Sequence, residues 1–392
     1  MRDRELRAGT GIGRTRRLIG SYEGDSPGPA LVAVGSIHGN EPAGAEACAR
    51  VMRELADLRP PSFRGMFVTV VGNTQALAQG VRFIEDDLNR IWSPERVDAL
   101  RREDDPASLS PEEQEMREIL FVLEEAAGRS PGSPDYLLDL HTTSAGGAPF
   151  ATVGDTLRNR SFAYHFPATR ILGLEEQLDG PLLEYMNNRG WITMGFEGGQ
   201  HEDPAAVDNH ESVLWLALVA AGLVDRIEVP RFKEHRRRLK KARRGNPRVF
   251  EVRHRHGIAP EDRFTMKPGF RNFQAVEKGD VLGEDRRGEV TAVESGRILM
   301  PLYQGQGADG FFLGRRVTPL WLRVSAFLRR ARVWKLMPFL PGVWRHPDRE
   351  ATLIVNTRVA RIYPLEIFHL LGYRKRRRMG PLLLVSRRAY DD

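Results

Sequence analysis

The sequence has very little cysteine and no long apolar run, and each absence excludes a class of protein. Cys48 is the single cysteine in 392 residues, so an internal disulfide is excluded and a reducing cytoplasm is the expected compartment. No apolar stretch is long enough to cross a bilayer. Residues 1–17 are basic but lack the apolar segment of a secretory signal. We therefore expect a globular protein of the cytoplasm.

Positive charge is in excess and is unevenly distributed. The formal net charge is +7 and the isoelectric point is about 9.7. Lysine and arginine cluster at 226–255 and again at 374–378. Such clusters can attract nucleic acid or anionic lipid, and they are also typical of a solvated linker and tail. We favour the solvated interpretation and expect no nucleic-acid partner.

Short apolar runs alternate with helical patterns through the first part of the chain. This order predicts an α/β fold, with a mixed, largely parallel sheet and helices on both faces. Strands are predicted at 31–37, 66–71, 136–141, 169–172 and 191–196, and helices at 42–58, 111–126, 181–189 and 204–223. The helix at 111–126 is rich in charge, and we expect it at the surface.

The character of the chain changes after residue 225, which predicts further units. The predicted ranges are 1–225 for a catalytic α/β domain, 226–248 for a basic linker, 249–320 for a small β-rich domain, and 321–392 for a C-terminal extension of unknown role. Within 226–248, a helix and an irregular linker are both compatible with the basic composition. In the extension, Phe327, Trp334 and Leu336 belong to an aromatic and basic helical pattern. This pattern suits a membrane surface or packing against the body or another subunit, and we favour packing.

A histidine and a glutamate stand three positions apart where the first predicted strand ends. In the run His38-Gly39-Asn40-Glu41, the glycine lets the backbone turn sharply. Sites in open α/β sheets lie at the carboxyl ends of strands. The His-x-x-Glu spacing alone is common by chance. His141 ends a later apolar strand and would complete a His, His, Glu set of the kind that holds catalytic zinc.

Further polar residues stand near predicted strand ends. Asp139 shares a strand face with His141, so it either orients that histidine or is a buried acid with a structural role. Arg82 and Arg90 belong either to a charged loop or to a site where one stabilises an oxyanion and the other holds a carboxylate. Glu197 follows the strand at 191–196. It could serve as a general base, although a lone glutamate is more often a capping or surface residue.

Taken in this order, the signals resemble the succinylglutamate desuccinylase/aspartoacylase family, within the broader zinc carboxypeptidase-like fold. The resemblance extends over about residues 17–320. The matching runs are Gly35-Ser36-Ile37-His38-Gly39-Asn40-Glu41, Arg82 with Asp87-Leu88-Asn89-Arg90, Asp139-Leu140-His141 and Phe196-Glu197-Gly198-Gly199.

The resemblance implies a metal site and two catalytic residues. His38, Glu41 and His141 would bind one Zn2+ per chain. Arg82 would polarise the scissile carbonyl and hold the oxyanion. Glu197 would deprotonate the catalytic water and later protonate the leaving amine.

The resemblance also implies a substrate clamp. Asn89 and Arg90 would grip the α-carboxylate of the amino-acid part of the substrate. Some members bring a tyrosine from the β domain to the site, and Tyr303 is the candidate for that position here. The extension beyond residue 320 has no counterpart in the family pattern, and no motif marks residues that contact the acyl group.

Three functions are compatible with these observations. The resemblance implies a zinc-dependent deacylase that hydrolyses the amide bond of N-acyl amino acids or related small amides. The same site would serve a metallocarboxypeptidase acting on peptides, although the β domain, by resemblance, argues against bulky substrates. The alternative from another class is a non-catalytic binding protein that uses its basic surfaces. The expected partner is a small amide substrate, and a membrane surface and a homo-oligomer stay open.

Overall fold

The computed structural model describes residues 17–349, 351–359, 365–373, 375–388 and 390–391, with 365–366 and 375–379 described by their backbone. What was predicted for residues 1–16 and for Arg374 lies outside these ranges. The strands are β1 (Leu18–Glu23), β2 (Ser26–Gly35), β3 (Arg64–Val71), β4 (Tyr136–Thr143), β5 (Phe150–Thr152), β6 (Thr169–Leu172), β7 (Ile192–Gln200), β8 (Val249–Gly257), β9 (Thr265–Met266), β10 (Ala275–Val276), β11 (Val281–Asp285), β12 (Gly288–Thr291), β13 (Gly296–Leu299), β14 (Asp309–Arg316), β15 (Val343–Arg345), β16 (Thr352–Asn356), β17 (Lys375–Met379) and β18 (Leu382–Ser386). The helices are α1 (Ala43–Leu58), α2 (Thr74–Gln79), α3 (Pro94–Arg102), α4 (Pro111–Gly128), α5 (Leu157–Ala163), α6 (Leu182–Asn187), α7 (Pro204–Ala220), α8 (Phe232–Ala242), α9 (Pro319–Arg330) and α10 (Leu365–Leu370).

One large sheet organises the molecule. Its strand order is β1-β3-β2-β4-β7-β5-β6-β8-β14-β13-β10. From β1 to β8 the neighbouring strands are parallel, except that β1 is antiparallel to β3 and β5 to β7. Beyond β8 the pairings are antiparallel. Two small sheets, β12-β11-β9 and β15-β16-β18-β17, complete the described part. The predicted mixed, largely parallel α/β sheet is confirmed.

Helices cover both faces of the large sheet because successive strand residues point to opposite sides. In β2, Leu31 and Ala33 belong to the core shared with α1 and α7. Val32 and Val34 belong to the core shared with α4. These central strands are nearly continuous apolar runs, as strands buried on both faces should be. The prediction of helices on both faces is confirmed.

Helix α4 is buried along one face, so the expectation of a surface helix at 111–126 is wrong for that face. Met116 and Ile119 belong to the core. The charge of the segment was misleading because two of its acids, Glu112 and Glu115, are buried as well. Glu115 accepts a hydrogen bond from Arg17 at 2.5 Å, which pairs the buried charge as burial requires.

The regions predicted as a linker and a β domain are both packed against the first part of the chain. In α8, His235 and Leu239 are buried, and His235 Nδ1 lies 3.1 Å from Ser212 Oγ of α7. Strand β8 pairs in parallel with β6, so the large sheet continues across residue 248. A small separate core surrounds Leu282 and Phe311. The four predicted ranges stay a prediction.

The C-terminal extension is joined to the body of the protein by buried ion pairs. Arg329 of α9 donates to the Asp155 carboxylate at 3.0 Å and to its backbone carbonyl at 3.0 Å. Arg329 also donates to Asp391 at 3.1 Å. The backbone carbonyl of Asp391 accepts from the Leu157 amide, at the start of α5, at 2.8 Å. The extension is therefore part of the packed structure.

The aromatic pattern of the extension divides into two groups. Trp334 is half-buried, with the guanidinium carbon of Arg387 4.1 Å from its ring centroid. Phe327 and Leu336 are 70% and 62% exposed, so packing against the body is wrong for these two. Contact with another subunit or with a membrane surface stays open for them. Within the described ranges, no helix combines the length and the apolar character needed to cross a membrane.

Candidate active site

The residues predicted to carry the chemistry meet at the carboxyl edge of the parallel strands. His38 follows β2, His141 lies near the end of β4, and Glu197 lies in β7. These three strands are neighbours in the sheet, and His141 is the register partner of Glu197. The structure therefore brings together side chains that are far apart in the sequence.

The turn after β2 has a constrained backbone that aims two side chains at one point. Ser36 has a left-handed φ of 59°, which is costly for a residue with a β-carbon. Its hydroxyl donates to the backbone carbonyl of Glu41 at 3.1 Å. A β-carbon at Gly39 would overlap the backbone of Ala76 and Leu77 in α2, so only glycine fits there.

His38 and His141 both face Glu41 through Nδ1. His38 Nδ1 lies 3.0 Å from Oε1 of Glu41, and His141 Nδ1 lies 3.1 Å from Oε2. One ligand atom from each of the three residues lies within 4.8 Å of the others. Two imidazole nitrogens and a carboxylate around one point form a donor set that suits zinc. These residues fit the metal that the resemblance implies.

Each histidine has a carboxylate at its other ring nitrogen. His38 Nε2 lies 3.1 Å from Asp87 Oδ1, and His141 Nε2 lies 2.8 Å from Asp139 Oδ2. At His141 this carboxylate favours the tautomer protonated on Nε2, which leaves Nδ1 for a metal. At His38, Nη2 of Arg82 also lies 2.8 Å from Nε2. Of the two roles left open for Asp139, this geometry favours orienting His141. Asp87 has the same position on His38 and was missed, although it stands in one of the matching runs.

Burial and neighbouring charges shift the pKa values of three site residues. Burial would raise the pKa of Glu41, but His38 and His141 outweigh it and hold that pKa well below its usual range. Burial would lower the pKa of His141, but Asp139 and Glu41 outweigh it and raise that pKa. Burial raises the pKa of Glu197 to about 8. Glu41 is thus an anion at neutral pH, as a metal ligand must be.

Glu197 is buried beside the three proposed ligands and is not one of them. It is 6% exposed and lines the same cavity as the two histidines. Its Oε2 has no hydrogen-bond partner in the part of the chain that the structure describes. A β-carbon at the next residue, Gly198, would strike the ring of His210, so glycine lets the strand pass this buried side chain. An unpaired buried carboxylate suits a general base that meets its partner when substrate binds.

Arg82 lies against the ligand group. Its Nη2 donates to Asp87 Oδ2 at 3.1 Å, and its Nη1 donates to Glu41 Oε1 at 3.3 Å. The loop that carries it is held by buried Glu112, which accepts from the Ile84 amide at 2.8 Å. No motif marked Glu112, whose partners are three backbone amides of the loop and the side chain of Asn73. An arginine fixed beside the ligands can donate to a developing oxyanion.

Asn89 and Arg90 both line the cavity but differ in their partners. Asn89 is held at both ends of its amide, with Nδ2 3.1 Å from Asp139 Oδ2 and Oδ1 accepting from the Leu182 amide at 2.9 Å. Arg90 donates to Asp309 Oδ2 of β14 at 2.8 Å. Asp309 was not predicted. Arg90 is the charged member of the pair, and a guanidinium is the kind of group that can bind a carboxylate.

Tyr303 is directed away from the cavity, so the structure does not support its predicted place at the substrate. Its hydroxyl donates to the Lys267 carbonyl at 2.9 Å and accepts from the Phe270 amide at 2.8 Å. The next residue, Gln304, lines the cavity instead, with its Oε1 3.0 Å from Asn40 Nδ2. The glycine-flanked, polar composition around Gln304 is the only local signal that could have indicated it.

Comparison with known proteins gives one family. Residues 27–166 match the sequence model described as the succinylglutamate desuccinylase/aspartoacylase catalytic domain. This range contains the three proposed ligands, Arg82, Asn89 and Arg90, whereas Glu197 lies beyond it.

Two curated relatives are similar to the same part of the chain. A succinylglutamate desuccinylase of Pseudomonas paraeruginosa is 33% identical over 119 residues, which are 30% of this chain and 32% of the relative. An N-acyl-aromatic-L-amino acid amidohydrolase (carboxylate-forming) of Xenopus laevis is 32% identical over 115 residues, which are 29% of this chain and 34% of the relative. The similarity thus spans about a third of the length of these relatives.

A solved structure shares the fold over a longer range. A succinylglutamate desuccinylase/aspartoacylase from Rhodobacter sphaeroides superimposes with a TM-score of 0.55 at 16% identity. The superposition covers 77% of this chain and 88% of that one. At this identity the likeness concerns the fold alone.

Proposed function

Because this chain belongs to the succinylglutamate desuccinylase/aspartoacylase family, we propose that it is a zinc-dependent hydrolase that deacylates N-acyl amino acids or related small amides. The observation that carries the proposal is the group of His38, Glu41 and His141, whose ligand atoms lie within 4.8 Å of one another. The carboxylates of Asp87 and Asp139 on the far side of the two rings support it.

His38, Glu41 and His141 would hold the metal through two imidazole nitrogens and one carboxylate. A zinc ion at this position supplies Lewis acidity and lowers the pKa of water at the site. The protein's own residues supply the binding of substrate and the movement of protons.

Glu197 transfers the proton from the water to the leaving amine in this mechanism. Its unpaired carboxylate accepts a proton from the attacking water and then delivers it to the amide nitrogen, so the amine leaves in neutral form. Burial in the cavity keeps bulk water from competing for this carboxylate.

Two arginines hold the substrate on either side of the scissile bond. Arg82 donates to the oxygen of the carbonyl as negative charge develops on it. Arg90 binds the α-carboxylate, and Asn89 keeps Asp139 and the segment at Leu182 in place around it. Fixing the substrate at both ends contributes through proximity and orientation.

The loop at 302–309 lies beside the ligand group, and its position favours small substrates over peptides. The Arg82 amide donates to Gln306 Oε1 at 3.2 Å, and Gln304 lies 3.0 Å from Asn40. The loop at 302–309 therefore narrows the entrance beside the ligand group. Under this proposal the substrate is a small amide and the peptide-trimming alternative ranks second. A cytoplasmic location is part of the proposal, because the lone Cys48 cannot form an internal disulfide.

Metal content is the test of this proposal. We expect a single zinc per chain in the purified protein by elemental analysis, with the metal lost in His38→Ala and in His141→Ala. His254→Ala, in β8 and away from the cavity, is the matched control and should keep the metal.

A substrate panel on the zinc-loaded protein completes the test. We expect release of the acyl group from N-acetyl and N-succinyl amino acids. A protein that takes up no zinc would contradict the site. Release of C-terminal residues from peptides, without deacylation, would reverse the order of the two enzyme functions.

A further inference from the structure

The cavity continues from the metal ligands into a side pocket with aliphatic walls. The walls of the side pocket are Leu174, Leu178, Leu183 and Thr152. Thr152 of β5 covers Gly195 of β7, which stands two residues before Glu197 on the same strand face. A β-carbon at Gly195 would strike the Thr152 hydroxyl. The side pocket therefore opens directly beside the proposed base.

The side pocket lies on the Arg90 side of the cavity. The Leu182 amide donates to Asn89 Oδ1 at 2.9 Å, and the Gly180 carbonyl accepts from the Trp92 amide at 3.0 Å. The wall at 178–183 is thus fastened to the run that contains Arg90. When Arg90 holds the α-carboxylate, the side chain of the amino acid enters this pocket. This step rests on the proposed function.

A carboxyl group closes the side pocket. Glu175 is 3% exposed and lines the cavity. Its Oε2 accepts from Nη2 of Arg388, in the C-terminal extension, at 3.2 Å. Its Oε1 is buried without a hydrogen-bond partner among the described residues. Glu176 also lies 3.6 Å from Arg388, so two carboxylates share one guanidinium.

We propose that the side pocket binds an amino-acid side chain that ends in an amine, and that Glu175 is the residue that selects it. The aliphatic walls suit a methylene stem. Once Glu175 is ionised, its unpaired Oε1 needs a hydrogen-bond donor, which an ammonium group supplies. A side chain that ends in a carboxylate would face Glu175 and Glu176 without a free cation. The preferred substrates are N-acyl derivatives of basic amino acids.

The charges around Glu175 give the selection a pH dependence. The groups that face it are Arg388, Glu176, Glu184 of α6 and the backbone amide of Gly154. Burial raises the pKa of Glu175 to about 8, and Glu176 and Glu184 reinforce the shift while Arg388 opposes it. The carboxyl is therefore largely protonated at pH 7 and ionises as the pH rises through 8. A substrate amine keeps its proton over this range, since its pKa is about 10.

The test compares three substrates of similar length: N-acetyl-L-ornithine (acetylated on the α-nitrogen), N-acetyl-L-norvaline and N-acetyl-L-glutamate. In the zinc-loaded full chain at about pH 8.5, where Glu175 is ionised, we expect kcat/KM for the ornithine derivative to exceed that for the norvaline derivative by about tenfold. Between about pH 6.5 and pH 8.5, KM should fall for the ornithine derivative and stay level for norvaline, because only the ammonium binds better to ionised Glu175.

The isosteric variant Glu175→Gln should lose this preference through KM and should lose the pH trend. Glu289→Gln, on exposed strand β12, is the matched control and should change none of these values. Binding of free L-ornithine and L-norvaline, measured by calorimetry on the zinc-loaded wild type, gives a readout that needs neither turnover nor a variant.

Two outcomes overturn the selection. They are a wild-type preference for the norvaline or glutamate derivative, and a preference for ornithine that Glu175→Gln leaves intact. Either result leaves the deacylase proposal standing, because hydrolysis still occurs. The deacylase proposal fails separately, if zinc-loaded protein hydrolyses none of the three substrates. In that case the calorimetric comparison of L-ornithine with L-norvaline still tests whether the side pocket selects an amine.

Discussion

Glu41 and Glu197 are both buried beside the same histidines, yet their surroundings suit opposite tasks. Glu41 accepts from the Thr142 amide at 2.9 Å and faces the two rings, which stabilises its anion. Glu197 has an oxygen without a partner among the described groups, and burial raises its pKa. The environment, rather than the residue type, therefore distinguishes the proposed ligand from the proposed base.

At this scale the prediction concerns Glu197. The variant Glu197→Gln keeps the size of the side chain and the three ligands but cannot accept a proton. We expect a normal zinc content and a fall in kcat of about 10²- to 10⁴-fold, measured by elemental analysis and steady-state kinetics. Glu202→Gln, on the exposed turn that follows β7, is the control and should behave as wild type. Near-normal turnover in Glu197→Gln would remove the proposed base.

Individual site residues were predictable where a strand pattern preceded them. The two histidines and Glu197 stand at the ends of apolar runs. The strand pattern placed them at the edge of the sheet, and their side chains are of the types that bind a metal or accept a proton. Asp309 had no such pattern, because its partner Arg90 lies 219 positions away. Tyr303 was misplaced because the direction of a side chain in an irregular loop is set by its contacts, here the backbone of Lys267 and Phe270.

Among the elements, the turn from β2 into α1 determines the geometry of the ligand group. It contains a left-handed Ser36 and the close approach of Gly39 to α2. Since His38 and Glu41 flank Gly39, any displacement of this turn moves two of the three proposed ligands together.

The prediction for this turn is that Gly39→Ala lowers both stability and zinc affinity. The added methyl must displace the backbone of Ala76 and Leu77, which we expect to cost about 1–3 kcal/mol of unfolding free energy. Thermal unfolding and zinc titration would measure the two effects. Gly128→Ala is the control, because a β-carbon at the end of α4 meets nothing within 4 Å. Equal behaviour of the two variants would show that the close approach does not constrain the site.

Elements with a regular period were predicted, including the charged helix α4, whereas the shortest strand of the parallel part was not. The strands β2, β3 and β4 and the helices that begin near proline followed directly from apolar runs and helix-start signals. Strand β5 has three residues, too few to show a period. In α8 the buried positions His235 and Leu239 are surrounded by basic residues, so composition left a helix and a linker both open where one face of a helix packs.

For the whole molecule, long-range ion pairs decide how the extension is attached. Arg329 is fully buried and joins Asp155 of the body to Asp391. Such contacts leave no local pattern, so the attachment of residues 321–392 could not be predicted. The structure places that region behind the wall of the side pocket, through Arg388.

The prediction at this scale is that Arg329→Met destabilises the protein by about 3 kcal/mol, because Asp155 and Asp391 stay buried after losing a cation. Urea unfolding measures the difference. Arg330→Met, the exposed neighbour on α9, should change stability by less than about 0.5 kcal/mol. An equal effect of the two substitutions would mean that the buried pairs do not hold the extension in place.

The pairing of Glu175 with Arg388 has a consequence for how the protein is made. The two residues are 213 positions apart, so the ribosome produces the carboxyl group long before the guanidinium that balances it. The strands around the metal ligands emerge first and can fold first. The wall of the side pocket at Glu175 is complete only when the segment that contains Arg388 has been synthesised. A nascent chain therefore forms its metal-binding turn before it forms the part that selects the substrate.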